Sequence, residues 1–508
     1  MSVAATSGPG VAQTADPSRA PGLPARWAVF LVVAAVLCGL VPVLLLQQVE
    51  DAGRSGAWGL TLALMVWAGI RIAHRVADGR PALFDFVFWL FVYIFLGLAP
   101  TAQIRADQVS TTTPGMDPVL DSRIATTVWT GVLCYEAGRF VARHLRRPPG
   151  VAPKAVRLDV VPGRAVVLTV VGILAAGYYI MKIGPSTLFL SRYAAYDIRS
   201  QRMPDVALRS MLAGAGSYPL LIAAGVYLRV WVTRVLGPSS ARYLPLLVPT
   251  VAVLLVVVNP ISSARYDFGT VAFALVVLVG AVGTRHRARL TMAGTVAAFL
   301  FVFPIADAFR TDRVNTTRNG FFGEYLANAD YDAFWQIGNA LSYVGDGLVR
   351  PLRQALGVVL FWVPRGSWPD KPVDTGILLA DYRGYSFTNL SAPLWAELLV
   401  NGGIALLVLG FVGLGIALGR LDLRIVRALL GGGQLWAIVG AVFPVYMVIL
   451  LRGSLLQATG TLAVAVACVL YVRRSKRATA PPGTVARSGS SATQADERAA
   501  GDAPTSPT

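Results

Sequence analysis

Long apolar runs, each ended by a short polar or arginine-bearing interval, set the pattern of this chain. Twelve of them reach or approach the roughly 20 residues that a helix needs to cross a bilayer. They are 27–46, 55–73, 86–104, 124–141, 165–181, 210–228, 243–264, 268–284, 290–306, 398–419, 428–451 and 453–472. Hydrocarbon gives backbone groups no partner, and with so little polar sequence between the runs, helices rather than a barrel must satisfy them. The pattern predicts an all-α polytopic integral membrane protein of about twelve transmembrane helices.

The ends differ from the middle. Residues 1–24 and 478–508 are rich in Ala, Pro, Gly, Ser and Thr and poor in bulky apolar side chains, so neither can bury a core. They read as disordered tails around a membrane domain at 25–477. The stretch 139–164 carries Pro148, Pro149, Pro153 and Pro162 and lacks helical periodicity, which reads as a linker without an enzyme domain. The first run has a 20-residue apolar core and no small-residue cleavage site after it, so it reads as a span and not a secretory signal. No internal repeat of useful strength is visible, which weakens an inverted-repeat transporter reading.

The formal net charge of +18 raises the question of nucleic acid, and its distribution answers it. Arginines cluster at 71–80, 139–164, 229–242, 285–289, 420–427 and 473–477, which are alternate intervals between runs. The positive-inside rule then puts both termini in the cytoplasm, and the charge reports orientation, with no nucleic-acid partner. Cys38, Cys134 and Cys468 lie within separate runs, suggesting neither disulfides nor a thiolate metal site. His74, His144 and His286 all map to the cytoplasmic side. Chemistry on the external face would have to proceed without histidine.

That face holds the interval 307–397, the largest between two runs. It carries 18 charged residues and 15 of the chain's 49 aromatics in 91 positions, a composition suited to sugar handling. Phe334, Ile337, Leu341 and Val344 recur at helical spacing, predicting a short amphipathic helix on the membrane surface or packed beneath the loop. The run 355–363 is too short to cross and stops at Pro364, as a re-entrant or interfacial piece would. In VPRGSWPDKP, 363–372, three prolines stiffen the backbone and present Arg365 and Lys371 at the lip of the membrane. Two cations held there form a candidate diphosphate clamp, a planar fork beside a point charge. The competing reading is that Arg365 snorkels and Lys371 pairs with Asp370 or Asp374.

VPRGSWPDKP, SAPLWAELLVNGGIALLVLGFVGLGI at 391–416 and LLRGSL at 450–455 resemble the oligosaccharide repeat-unit polymerases, the Wzy-type O-antigen and capsule polymerases. The motifs cover roughly the last third of the chain; the runs before about residue 250 match only in number and spacing. The resemblance implies a GT-C-like membrane glycosyltransferase without a cofactor, and the lack of an external histidine argues for metal-independent chemistry. Its substrate would be a polyprenyl-diphosphate-linked oligosaccharide at the outer face of the cytoplasmic membrane. Membrane lipids, a flippase and a chain-length regulator are the further partners it implies. The absence of a G-x-x-x-x-G-K-[ST] loop agrees with a donor that is not a nucleotide sugar.

Further arginines join the candidate substrate-binding set. Arg265, in NPISSARYDFG, and Arg452, in the tight turn before the last run, match positions where the family places charge. Arg265 also reads as a snorkelling anchor, whereas Arg452 sits where an unpaired cation is costly and so requires an anionic partner or ligand. Arg192, Arg199 and Arg202 with Tyr193 and Tyr196, and Arg310 with Asp312 and Arg313, place arginines externally against the positive-inside bias. A ligand-binding role and a solvated rim both account for them. Trp335, Trp362, Trp368, Tyr382, Tyr385 and Trp395 could stack on sugars or form an interfacial belt. Glu397, one residue before an uncharged run, is the candidate general base, against the reading of an acid stabilised in the first turns of a helix. Asp312, Asp370 and Asp381 are alternative bases. The rival functions are a ligase or other polyprenyl-lipid-dependent transferase, and a transporter or flippase. Coupled transport would need ionisable residues deep in several spans, where mainly Glu136 and Asp85 are visible, both near cytoplasmic ends.

Overall fold

A computed structural model describes residues 23–144, 158–203, 206–302, 321–388 and 390–474. Nearly all of both tails, residues 145–157 of the proline-bearing linker, and Arg310, Asp312 and Arg313 lie outside the described residues. Among those described, every regular element is helical, and one isolated bridge joins Val160 to Arg473. The helices are α1 (Pro24–Gln48), α2 (Trp58–Asp78), α3 (Leu83–Arg105), α4 (Val119–His144), α5 (Pro162–Ile183), α6 (Arg192–Arg202), α7 (Val206–Thr233) and α8 (Gly237–Val257). They continue with α9 (Arg265–Val276), α10 (Arg285–Ala297), α11 (Ala333–Gly345), α12 (Arg353–Val359), α13 (Thr375–Arg383), α14 (Leu394–Gly431), α15 (Leu435–Arg452) and α16 (Leu455–Val472).

Nine helices among the described residues are long and apolar enough to cross a membrane: α1, α2, α3, α5, α7, α8, α14, α15 and α16. Large apolar side chains stand uncovered along them, such as Leu31, Leu174, Met181 and Leu409. Water would not tolerate so wide an apolar exterior, and the chain is a membrane-embedded helical protein. The other three runs are largely helical where they are described. α4 carries Asp121, Arg123, Glu136, Arg139 and Arg143, while α9 and α10 are shorter and each continues into a π-helical turn.

Every residue of α3 is buried, so it is the protein's inner post and touches neighbours on all sides. α4 and α14 pack along each other beside it, because glycines let their backbones meet. A Cβ on Gly138 would lie 2.1 Å from the Val412 carbonyl oxygen, and one on Gly415 would lie 2.2 Å from that of Tyr135.

Three expected intervals are ordered differently. Arg420, Arg424 and Arg427 do not form a loop, since α14 runs unbroken through them to Gly431; leucine and arginine are good helix formers and no proline intervenes. The interval after α5 contains α6, and α11 is a buried helix packed on α4 and α14 and not a surface one. Phe334 and Ile337 are buried on α11, but so are Gln336, Asn339 and Trp335. Trp335 Nε1 donates to Gln103 Oε1 at 2.7 Å, and Gln103 Nε2 donates to the carbonyl of Tyr325 at 2.9 Å. α12 leaves Leu356 and Val359 exposed, with Trp362 just beyond it, as an interfacial piece would.

Buried charge is more abundant than the run pattern implies. At one end of the bundle Arg75 pairs with Asp85, Arg139 Nε lies 3.3 Å from Asp85 Oδ1, and Arg139 Nη1 donates to Asp422 Oδ2 at 2.9 Å. Asp422 also accepts from the backbone N–H groups of Phe84 and Asp85, satisfying the start of α3. Nearby, Arg71 pairs with Glu136 at 2.6 Å.

Candidate functional site

At another place in the bundle two cavities meet. The larger, about 780 Å³, lies among α9, α10 and α15, with walls of Phe268, Ala272, Phe273, Val276, Phe299 and Val302. The smaller, about 410 Å³, is polar and is lined by Arg199, Ser217, Ser262, Asp267, Tyr446 and Gln457 among others. Arg192, Arg265, Asp330 and Arg452 line both. The structure therefore places an apolar chamber, a charged junction and a polar chamber in sequence.

The junction is built from four separate pieces of chain. The short helix α6 supplies Arg192 and Arg199, the start of α9 supplies Arg265, and the end of α15 supplies Arg452. A loop before α11 supplies Asp330, whose Oδ2 is 3.0 Å from Arg265 Nη2 and whose Oδ1 is 3.2 Å from Arg452 Nη2. Arg452 Nε donates to the Asp330 carbonyl at 2.7 Å, and its Nη2 lies 3.4 Å from Asp332 Oδ1. The sequence requirement of an anionic partner for Arg452 is thus met within the protein. Arg199 Nη2 donates to Ser262 Oγ at 3.1 Å. Arg192, on the rim of both chambers, makes no hydrogen bond or ion pair with any described residue.

Of the residues singled out from sequence, Arg199, Arg265 and Arg452 are brought together here. Arg365 and Lys371 are not, because their polar ends close their own loop. Arg365 donates to the carbonyls of Lys371 and Pro372, at 2.9 and 3.3 Å, and Lys371 Nζ donates to those of Phe361 and Val363, at 2.6 and 2.8 Å. Local turns close parts of that loop, with Ser367 N and Trp368 N on the Pro364 carbonyl and Lys371 N on that of Trp368, and the two cations add cross-links between them.

Glu397 lies in the first turn of α14, buried, and lines neither chamber. Its Oε2 accepts from Thr375 Oγ1 at 2.8 Å, and its Oε1 accepts from Ser454 Oγ at 3.1 Å and Leu455 N at 2.9 Å. A carboxylate with both oxygens engaged by three donors ties α13 and α14 to the turn that carries Arg452. The geometry favours this anchoring role over proton transfer. Asp374 caps α13 through Gly376 N at 2.8 Å, and burial pushes its carboxyl above the ordinary range.

Trp335 and Trp395 are fully buried in the core and Trp362 is exposed, while Tyr382 donates to Asp346 at 2.5 Å. None of these four lines either chamber, and neither does any histidine. Among the described residues no group of three or more His, Cys, Asp or Glu side chains is placed to hold a metal ion. Asp330 and Asp267 are functional candidates that the pattern of the chain did not single out. Asp267 stands two residues after Arg265, so an acid beside a flagged arginine was the available signal; Asp330, in NADYD, had none.

The arrangement suits a ligand with an apolar tail, an anionic middle and a polar head. No protein-family model, curated protein or solved structure matches the chain, so this reading rests on the site's own geometry and the motifs above.

Proposed function

We propose that the protein is a glycosyltransferase of the cytoplasmic membrane that joins polyprenyl-diphosphate-linked oligosaccharide units into a surface polysaccharide. The observation that carries this reading is the pair of cavities meeting at Arg192, Arg265 and Arg452. Part of an isoprenoid chain fits the apolar chamber by the hydrophobic effect, and sugars fit a chamber rich in hydroxyls and guanidinium groups. The diphosphate belongs at the junction, where guanidinium forks stabilise the charge that grows on a leaving phosphate. The sequence resemblance to repeat-unit polymerases supports the same substrate class. In this reading the twelve runs all cross the membrane, both termini are cytoplasmic, and 307–397 faces outward.

The test is purified protein in vesicles supplied with lipid-linked repeat units. Growth of a glycan ladder with release of polyprenyl diphosphate is the expected result. Transfer onto a different lipid or protein acceptor, without a ladder, would establish a ligase instead. Movement of intact units across the bilayer without transfer would overturn the enzyme reading. For orientation, Gly366→Cys in a cysteine-free background should react with an impermeant reagent on intact cells and Ser490→Cys should not; the opposite pattern would invert the topology.

A further inference from the structure

We propose that Asp267 is the general base of the transfer, taking the proton of the acceptor sugar hydroxyl as that oxygen attacks the donor's anomeric carbon. The inference deepens the glycosyltransferase reading and rests on it.

Three observations carry it. Asp267 lines the polar chamber and not the apolar one, so it stands on the side of the junction where sugars would lie. It is also the chamber's uncommitted acid. Asp330 is held by Arg265 and Arg452, and Asp332 is held by Arg452, by Thr112 Oγ1 at 3.1 Å and by Ser391 N at 3.2 Å. The Asp267 carboxylate accepts no hydrogen bond and forms no close ion pair among the described residues. Asp267 is half-buried on the chamber wall, so with no donor from the protein its carboxylate oxygens are left to meet a hydroxyl that enters the chamber. Finally, Arg192 and Arg199 line the same chamber as Asp267, near enough for their charges to act on it, and Arg192 also borders the junction. Position in the first turn of α9 accounts for tolerance of the charge, not for its lack of partners.

The step balances without a co-reactant. The acceptor oxygen forms a bond to the anomeric carbon, and the bond from that carbon to the diphosphate oxygen breaks. Its electron pair leaves with the polyprenyl diphosphate at Arg192, Arg265 and Arg452. The hydroxyl proton passes to an Asp267 oxygen and from there to water in the chamber.

The experiment compares wild type, Asp267→Asn and Asp267→Glu in vesicles under single turnover, with donor binding measured separately. General-base removal is expected to lower the chemical rate of Asp267→Asn by about 100-fold or more. Donor affinity should stay within threefold of wild type, and thermal unfolding should be unchanged. Should Asp267→Asn fail to accumulate, Asp267→Glu retains a carboxylate, and its kcat should fall while KM for the lipid-linked unit holds. A chemical rate within tenfold of wild type for Asp267→Asn, or a raised KM with normal kcat for Asp267→Glu, would overturn the assignment. A wild-type protein that forms no glycosidic bond with any lipid-linked donor would overturn the underlying reading, and the base role with it.

Discussion

Asp330→Asn is the most informative single change at the junction, because one carboxylate neutralises guanidinium groups from two helices. Arg265 is 5% exposed at its side chain, Arg452 is 22% exposed, and both lie within 3.2 Å of Asp330. Removing one partner of a buried pair costs about 3 to 5 kcal/mol, since the remaining charge is stranded. Here the loss falls below that range. Arg452 keeps Asp332 and the Asp330 main-chain carbonyl, both arginines border open chambers, and asparagine retains an acceptor oxygen. A loss of roughly 2 kcal/mol follows, a factor of about 30 in the folding equilibrium. The same change removes the negative charge that Arg265 and Arg452 share, so an anionic ligand meets less opposition there. Inorganic pyrophosphate, as a probe, should therefore bind Asp330→Asn more tightly than wild type, and at about 100 times its Kd should return about 2.7 kcal/mol of stability. The assay is thermal unfolding in detergent across a pyrophosphate series, with chloride at matched ionic strength as control. Unchanged unfolding of Asp330→Asn without ligand, or equal stabilisation of both proteins by pyrophosphate and by chloride, would refute the reasoning.

Arg192→Ala should weaken donor binding by tenfold or more, as expected for the loss of one charge-assisted contact of about 1.5 to 3 kcal/mol, and Arg452→Lys should lower turnover because a point charge does not replace a fork; lipid-linked donor titrations and turnover check both. Arg365→Ala and Lys371→Ala should leave turnover within about threefold of wild type while loosening their loop to proteolysis, since their donors end on that loop's own carbonyls; a tenfold loss in both would restore the clamp predicted from sequence. Glu397→Gln should retain turnover within tenfold and lose stability by about 1 kcal/mol, whereas abolished turnover with intact donor binding and unfolding would return the base role to Glu397. Asp374→Asn keeps the α13 cap and removes a carboxylate whose folded-state pKa burial raises, so the wild-type contribution is present at acid pH and is lost as pH rises through that value; the variant should be the more stable at neutral pH, read by unfolding from pH 4 to 8.

Membrane crossing was legible because hydrocarbon imposes a single requirement, an apolar run of sufficient length, and that requirement is local in sequence. α14 marks its limit. The arginines at 420, 424 and 427 end an apolar run without ending a helix, because charge and helicity are separate properties. The site was legible in part for a similar reason. Arg265 and Arg452 stand out as cations at the edges of runs, but their shared partner Asp330 lies 65 and 122 residues away, in a stretch with no periodicity. VPRGSWPDKP misdirects in the opposite sense. Its cations are conspicuous because the loop is rigid, and the loop is rigid partly because those cations hold it. Glu397 stood out from its neighbours for being charged, yet only the fold reveals that Thr375 and Ser454 converge on it.

The quartet of Arg75, Asp85, Arg139 and Asp422 has a consequence for how the protein is made. The ribosome delivers the first three within the opening third of the chain, and Asp422 follows 283 residues after Arg139. Until then two guanidinium groups share one carboxylate, and the N–H groups at the start of α3 lack the acceptor that will close them. The early helices are therefore an unfinished assembly during most of translation, left with one excess positive charge. Arrival of α14 completes the neutralisation and presses Gly415 against α4 in the same event. A nascent chain halted before residue 422 would present that excess charge and an uncapped helix to the quality-control machinery, and one halted after α14 has left the ribosome would not.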